Sequence, residues 1–311
     1  MKILSLLLMT MMFFSMTEAG LSAQSCHKYE LEKACFMAYV RAPLVSQIHF
    51  NADSDSSGTQ ADEERSKHIF KDLGYAVVTS VKDAAYIYSS PARIDKKSAL
   101  WLAGIASAGA VIYIYDREIY DFIREHREDD PLKPFVNIGE ELGTIGMGGT
   151  TAKYFLGSVA LGYLLDIDPL MYIGIDLVES YYIAGLLKNA VNLFAGRRRP
   201  HEGMGARYFE FNGGTSMPSG HTANVFQMAN IFSRHIKFWP FTIVAYTIAG
   251  SIGIERVASE AHWPSDVYVA AIYGWVISDV LMDRNQGRRF DLEPYLDPST
   301  ATLGFQLKYS F

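Results

Sequence analysis

Three short stretches in the second half of the sequence carry residue types suited to handling an anion. They are Gly196-Arg197-Arg198-Arg199-Pro200, Met217-Pro218-Ser219-Gly220-His221-Thr222-Ala223, and Glu255-Arg256 running on to His262-Trp263-Pro264-Ser265-Asp266. Arginine guanidinium groups present planar forks to phosphate oxygens. Backbone N–H groups at a helix start collect the same oxygens with help from the helix dipole. Two histidines can divide a phosphoryl transfer, one attacking phosphorus and the other protonating the leaving oxygen. A carboxylate four residues beyond His262 is close enough to accept its ring N–H and fix its tautomer. Arginines and N–H groups can neutralise the developing charge, so the arrangement needs no metal and no cofactor.

Taken one at a time, each stretch also has an ordinary explanation. An arginine cluster at the end of a helix favours the helix dipole. Pro-Ser-Gly is a competent helix start, and Pro264 and Asp266 fit helix positions N1 and N3, where a carboxylate simply caps. Their placement by the surrounding elements gives the joint reading its weight. Apolar periodicity predicts helices over 99–115, 117–127, 151–165, 170–195, 219–235, 240–255 and 265–282. The helix from Ser219 runs roughly 25 Å at 1.5 Å per residue, turns near Arg234–Pro240, and its successor returns over a similar length to Arg256. His221 and Arg256 then share one end of an antiparallel pair. His262 and Asp266 open the next helix at that end, and Arg199 closes an earlier one.

At these positions the sequence resembles the type-2 phosphatidic-acid phosphatases and their vanadium-haloperoxidase relatives. Arg199-Pro200 match the end of the first signature block, Pro218 to His221 the second in full, and Arg256, His262 and Asp266 the third at its spacing. The resemblance spans residues 99–282. It implies an all-α fold: a bundle of about six core helices with the active site at one end, preceded by a polar N-terminal segment. It implies His262 as the nucleophile that forms a phosphohistidine, Asp266 as its orienting partner, and His221 as general acid and then base. Arg199, Ser219, Gly220 and Arg256 would cradle the phosphate. Two positions depart from the signature. Its lysine falls on Asn192, for which Lys188 one turn earlier, Arg197 or Arg198 could substitute, and Glu255 stands where a serine precedes the arginine.

The remainder of the chain bounds these readings. The net charge of −6 gives no electrostatic support to a nucleic-acid partner. Residues 1–23 have the layout of a secretory signal, with cleavage after Ala19 or Ala23, or of a short anchoring helix. Export would permit a Cys26–Cys35 disulfide, the alternative being two free thiols. The polar segment 24–98 contains an acidic run. Its plain reading is a solvated linker, although Asp53, Asp55, Ser57, Gly58 and Glu64 approximate a calcium-loop spacing. The glycine-rich stretch 143–150 reads as a hinge or a close helix contact. In the tail, 291–311, alternation of Leu303, Phe305, Leu307, Tyr309 and Phe311 predicts a single edge strand.

The helical domain is placed at 99–290. Its uncharged runs 99–115 and 238–254 sit at the lower edge of a membrane span, and Asp166, Asp168, Asp176 and Glu179 interrupt the middle. With the motif end outside, helix 170–195 runs outward and residue 99 starts inside, whereas a cleaved signal would leave residue 99 outside. Positive charge at the opposite end (Arg234, Lys237, Arg284, Arg288, Arg289) accords with that orientation. The sequence thus points to an exported, membrane-associated periplasmic phosphatase acting on a phosphorylated lipid or small phosphoester. The alternatives are a soluble enzyme, a vanadate-dependent haloperoxidase, and a non-enzymatic envelope protein that binds anions or assists assembly.

Overall fold

Helix boundaries in this chain follow the residue types that sit at them. A computed structural model describes residues 77–165, 167–285, 290–297 and 302–309, the last two segments by backbone. The signal segment 1–23, Cys26 and Cys35, and the acidic run 53–64 lie outside the described residues. From Val78 onward the described residues belong to one compact unit. They form helices α1 (77–88), α2 (Lys96–Ile114), α3 (Asp116–Glu125), α4 (Leu132–Leu142) and α5 (Gly148–Leu164), followed by α6 (Asp168–Ala195), α7 (Gly220–His235), α8 (Trp239–Ala258) and α9 (Pro264–Arg284). Prolines occupy the first turns of α6, α8 and α9, where a missing N–H costs nothing. Ser219 caps α7. Gly196 ends α6 at φ 53°, a left-handed geometry that favours glycine.

The six long helices α2 and α5–α9 make the expected all-α bundle and alternate in direction. Their pole is marked by Asp116, just past α2, which accepts from the Ser265 N–H at the start of α9 at 2.7 Å. Arg197, just past α6, reaches Asp266 on α9 at 2.6 Å. Gly146, just before α5, lies so close to α7 that a Cβ there would sit 2.9 Å from the His221 carbonyl oxygen. The glycine-rich stretch is therefore a close packing contact, one of the two alternatives read from its composition. α2, α6 and α8 end at this pole; α5, α7 and α9 begin there.

Helix α7 is the central strut, with buried residues on every face, polar ones included. Three of the polar side chains bond to neighbouring elements, which offsets the cost of burying them. Asn224 donates to the Gly146 carbonyl at 2.9 Å, Gln227 accepts from Ser180 at 2.8 Å, and Asn230 donates to Ser278 at 3.0 Å. α9 approaches α7 through Gly274, where a Cβ would lie 2.6 Å from the Ala223 carbonyl oxygen.

Three elements differ from the sequence reading. α4 is a separate helix packed on α8, and its Gly139 lies against Ser251 and Glu255. α1 falls in the segment read as polar, yet Ile87 is buried with Ile183, Ile277 and Leu281, and Asp83 pairs with Arg284. The helical unit thus begins about twenty residues before 99. The tail holds two strands rather than one: β1 (Phe290–Asp297) and β2 (Thr302–Tyr309) pair antiparallel, with Leu292 opposite Leu307 and Pro294 opposite Phe305. Strand β1 was missed because Pro294 interrupts the alternation of Phe290, Leu292 and Leu296 and argues against a strand.

Among the described residues, four helices are long and apolar enough to cross a membrane: α2, α6 from Pro169, α8 and α9. The helices that contain the two runs judged marginal in the sequence measure 19 and 20 residues. Large apolar side chains stay exposed on their outer faces, among them Leu100, Trp101, Leu186, Phe194, Ile243 and Val244.

The α7–α9 contact is a sensitive point. Gly274→Val should cost about 1–3 kcal/mol, because the added methyls meet backbone that cannot yield. Gly250→Ala, with nothing within 4 Å, should be neutral or stabilising. Thermal denaturation of the two variants side by side checks both.

Candidate active site

The α7 start is built by Ser219, whose Oγ accepts from the Thr222 N–H at 3.4 Å and the Thr222 hydroxyl at 3.0 Å. The sequence led us to expect three free N–H groups here, at Ser219, Gly220 and His221. The structure leaves two. The Ser219 N–H donates to the Asp266 backbone carbonyl at 3.3 Å and ties α7 to α9. Gly220 and His221 have no backbone acceptor among the described residues. They open on a cleft of about 1060 Å³ whose walls include Lys188, Asn192, Arg199, Gly220, His221 and His262. Gly148, at the start of α5, lines it too.

His262 is buried, and its Nδ1 donates to the Ser216 carbonyl at 2.7 Å. A carbonyl only accepts, so Nδ1 carries the proton and Nε2 keeps its lone pair. This corrects the expectation that Asp266 orients His262 directly. The Asp266 carboxylate accepts instead from the Ser216 hydroxyl at 2.6 Å, the Trp263 N–H at 2.9 Å and Arg197 at 2.6 Å. Asp266 is thus a cap for α9 and an anchor for Ser216, and reaches His262 only through Ser216.

Arg197 was a candidate stand-in for the signature lysine, but the structure withdraws it from the cleft. Its side chain is fully buried, with Nη2 on Asp116 at 2.6 Å and Nη1 shared between Asp266 at 2.6 Å and the Ser265 hydroxyl at 2.7 Å. The rings of Tyr113, Phe209 and Trp263 surround it, 5.2–5.7 Å from the guanidinium carbon. Arg198 lines the rim and pairs with Glu202 and Glu210, each at 3.1 Å. Among the described residues, the Arg199 guanidinium reaches only the Thr215 hydroxyl, at 3.4 Å. Of the two remaining candidates, Asn192 holds the signature position with an Oδ1 that has no partner among the described residues. The aliphatic stem of Lys188 crosses the α7 start, 3.3 Å from where a Gly220 Cβ would lie.

Arg256 stands behind the cleft wall rather than in it. Buried Glu255, the residue that departs from the signature, holds its guanidinium in an ion pair. The Arg256 carbonyl receives the Ala261 and His262 N–H groups, both at 3.1 Å. Its charge still reaches the histidines. Burial lowers His221 to about 4, aided by Arg256, Arg199 and Lys188. Burial likewise lowers His262 to about 3, helped by Arg199 and opposed by the Ser216 carbonyl. Both imidazoles are neutral at pH 7.

Residues 173–289 match the family model of the PAP2 superfamily, and that span contains all three motif stretches. The chain is 33% identical over 160 residues to the lipid A 1-phosphatase of Porphyromonas gingivalis, across 50% of this chain and 30% of that protein. It therefore spans about a third of the length of the curated relative it matches. The crystal structure of Aquifex aeolicus LpxE aligns with 53% of this chain and 93% of its own at 20% identity, with a TM-score of 0.38. Against the PAP2 signature, Ser216 and Asp116 are additions that sequence reading missed. Ser216 contributes a main-chain carbonyl, which leaves no residue-type signal. Asp116 meets Ser265 across 149 positions.

Two stability measurements follow. Arg197→Met leaves Asp116 and Asp266 buried without their cation and should cost about 3–5 kcal/mol in denaturant unfolding. Both histidines titrate below their ordinary value of 6.5 in the fold, so the unfolded chain binds more protons as pH falls. Their contribution is complete above pH 6.5 and is lost progressively towards pH 3. His262→Gln should flatten the fall in thermal midpoint between pH 7 and pH 4.

Proposed function

We propose that this chain is a phosphatase that removes phosphate from a phosphomonoester or pyrophosphate of a lipid, of phosphatidate or polyprenyl type, through a phosphohistidine on His262. The observation that carries this reading is the anchoring of His262 Nδ1 on the Ser216 carbonyl, which leaves a neutral Nε2 in a cleft shared with His221, Lys188 and Arg199. In the first step Nε2 attacks phosphorus, a P–N bond forms, and the bond to the leaving oxygen breaks as His221 gives that oxygen a proton. In the second step His221 takes a proton from water, whose oxygen attacks phosphorus and releases phosphate from His262. Arg199, Lys188 and the Gly220 and His221 N–H groups hold the equatorial oxygens, with Arg256 adding field from behind.

His221 needs a proton before it can act as an acid, and in the empty cleft it lacks one at pH 7. A phosphate dianion offsets the cations that depress it, so the anion and a proton bind together. Asn192, Lys188 and Glu255 modify the cradle without removing nucleophile or acid. The lipid assignment draws support from the relative named a lipid A 1-phosphatase and from the four apolar helices. With the site pole facing the periplasm, Arg234, Lys237 and Arg284 fall on the opposite side, as the positive-inside rule asks. Since α2 runs towards the site pole, residue 96 then starts on the inner side.

Converting His262 to Ala should abolish phosphate release with the helical circular dichroism intact, and His221→Ala should slow it by about 10²–10⁴-fold. Activity should persist in EDTA. Turnover by the His262→Ala protein would sink the mechanism. Sulfate, a dianion that does not titrate near neutrality, should bind with proton uptake, read by calorimetry in buffers of different ionisation enthalpy.

A further inference from the structure

A second cavity, of about 410 Å³, lies between α2 and α9 beside the catalytic cleft. That volume is in the range of small-molecule sites, roughly 300–1,000 Å³. Its walls are apolar: Ala106, Gly109 and Ala110 from α2, Val269 and Ile272 from α9, and Met217 at its inner end. Tyr268 spends its hydroxyl on the Ile105 carbonyl at 3.0 Å, so it offers the cavity a ring and not a polar group. Gly109 keeps the space open, since a Cβ there would already press on the Tyr268 ring at 3.1 Å.

The cavity adjoins the reaction centre. Tyr273 lines both spaces, as one wall between them. Met217 immediately precedes Pro218-Ser219-Gly220-His221, and Ser265 at the rim immediately precedes Asp266. From Ser265 to Ile272 the groove follows α9 for about 10 Å away from the site pole. On its outer side stands α2, whose apolar span has no buried residue. Water gains nothing from such walls, and an aqueous phosphoester has no group to place in them. A hydrocarbon chain does.

We propose that this groove holds the first stretch of an alkyl chain of the substrate while its phosphate lies between His221 and His262. The inference rests on the phosphatase reading and adds that the substrate is a long-chain amphiphile whose tail leaves the cleft past Tyr273 and runs between α2 and α9. Small residues at 106, 109 and 110 make room for the chain, and the unburied face of α2 lets its remainder continue outside the protein.

The test fills the groove. Ala106→Phe and Ala110→Phe should each lower kcat/KM for dihexadecanoyl phosphatidate in detergent micelles at least tenfold, mainly by raising KM. Hydrolysis of the soluble ester para-nitrophenyl phosphate should change less than twofold. Gly104→Leu, on the same helix where nothing lies within 4 Å, should leave both substrates unaffected. Equal loss on both substrates, or no loss on the long-chain one, overturns the groove. A wild-type protein that hydrolyses neither substrate overturns the phosphatase reading instead. The two are also separable without turnover. A long-chain phosphate with a photoreactive diazirine on its chain, bound to the His262→Ala protein, should label peptides containing 105–113 or 268–273. Labelling confined to other helices removes the groove even if catalysis is sound, and shows only general lipid contact.

Discussion

One buried guanidinium sets the geometry of the pole where the candidate site lies. Arg197 joins Asp116 after α2, Asp266 in α9 and the Ala206 carbonyl in the loop after α6, with no access to water. A buried charge is tolerable only when every donor is used and every partner carboxylate is satisfied. Two carboxylates face one cation, so the cluster needs further donors. The Ser265 N–H and hydroxyl supply Asp116, and the Trp263 N–H and Ser216 hydroxyl supply Asp266. Those same donors belong to the segments that flank His262. Satisfying the ion cluster therefore fixes the position of Ser216, and through its carbonyl the ring of His262.

The arrangement separates charges that build the pole from charges that line the cleft. Arg197 and Arg256 are both neutralised by carboxylates and lie behind the wall, whereas Lys188 and Arg199 line it. Sequence spacing does not express this difference, because neighbouring residues 197, 198 and 199 point to three environments: a buried cluster, an acidic rim and the cleft.

What could be read from the sequence followed from helix length and capping. Similar lengths for α7 and α8, 16 and 20 residues, put His221 and Arg256 at one end, and Pro264 with Asp266 marked the start of α9. The parts that were not legible depend on main-chain atoms or on distant pairings. The carbonyl that orients His262 belongs to Ser216, and no side-chain pattern announces a carbonyl. α4 was obscured because it is short and contains Gly139 where it meets α8. α1 was obscured because one buried face, centred on Ile87, is embedded in polar sequence. Asp176 and Glu179, read as obstacles to a membrane helix, are buried, with Asp176 bound to His235 at 2.9 Å and to Asn285 at 2.9 Å. Facing the bundle interior resolves the apparent conflict between charge and apolar surroundings.

Alternation of the bundle has a consequence for the ligand. Three helix N-termini, those of α5, α7 and α9, converge on the site pole and bring the positive ends of their dipoles to it. The C-termini of α2, α6 and α8 arrive at the same pole and would cancel that field. Arg197, Arg198 and Arg256 at those ends are held in ion pairs by carboxylates, whereas Arg199, just past α6, lines the cleft beside the N–H groups of Gly220 and His221. Chain direction and arginine placement together thus bring positive potential to the cleft that Asn192 lines, as the proposed phosphate cradle requires.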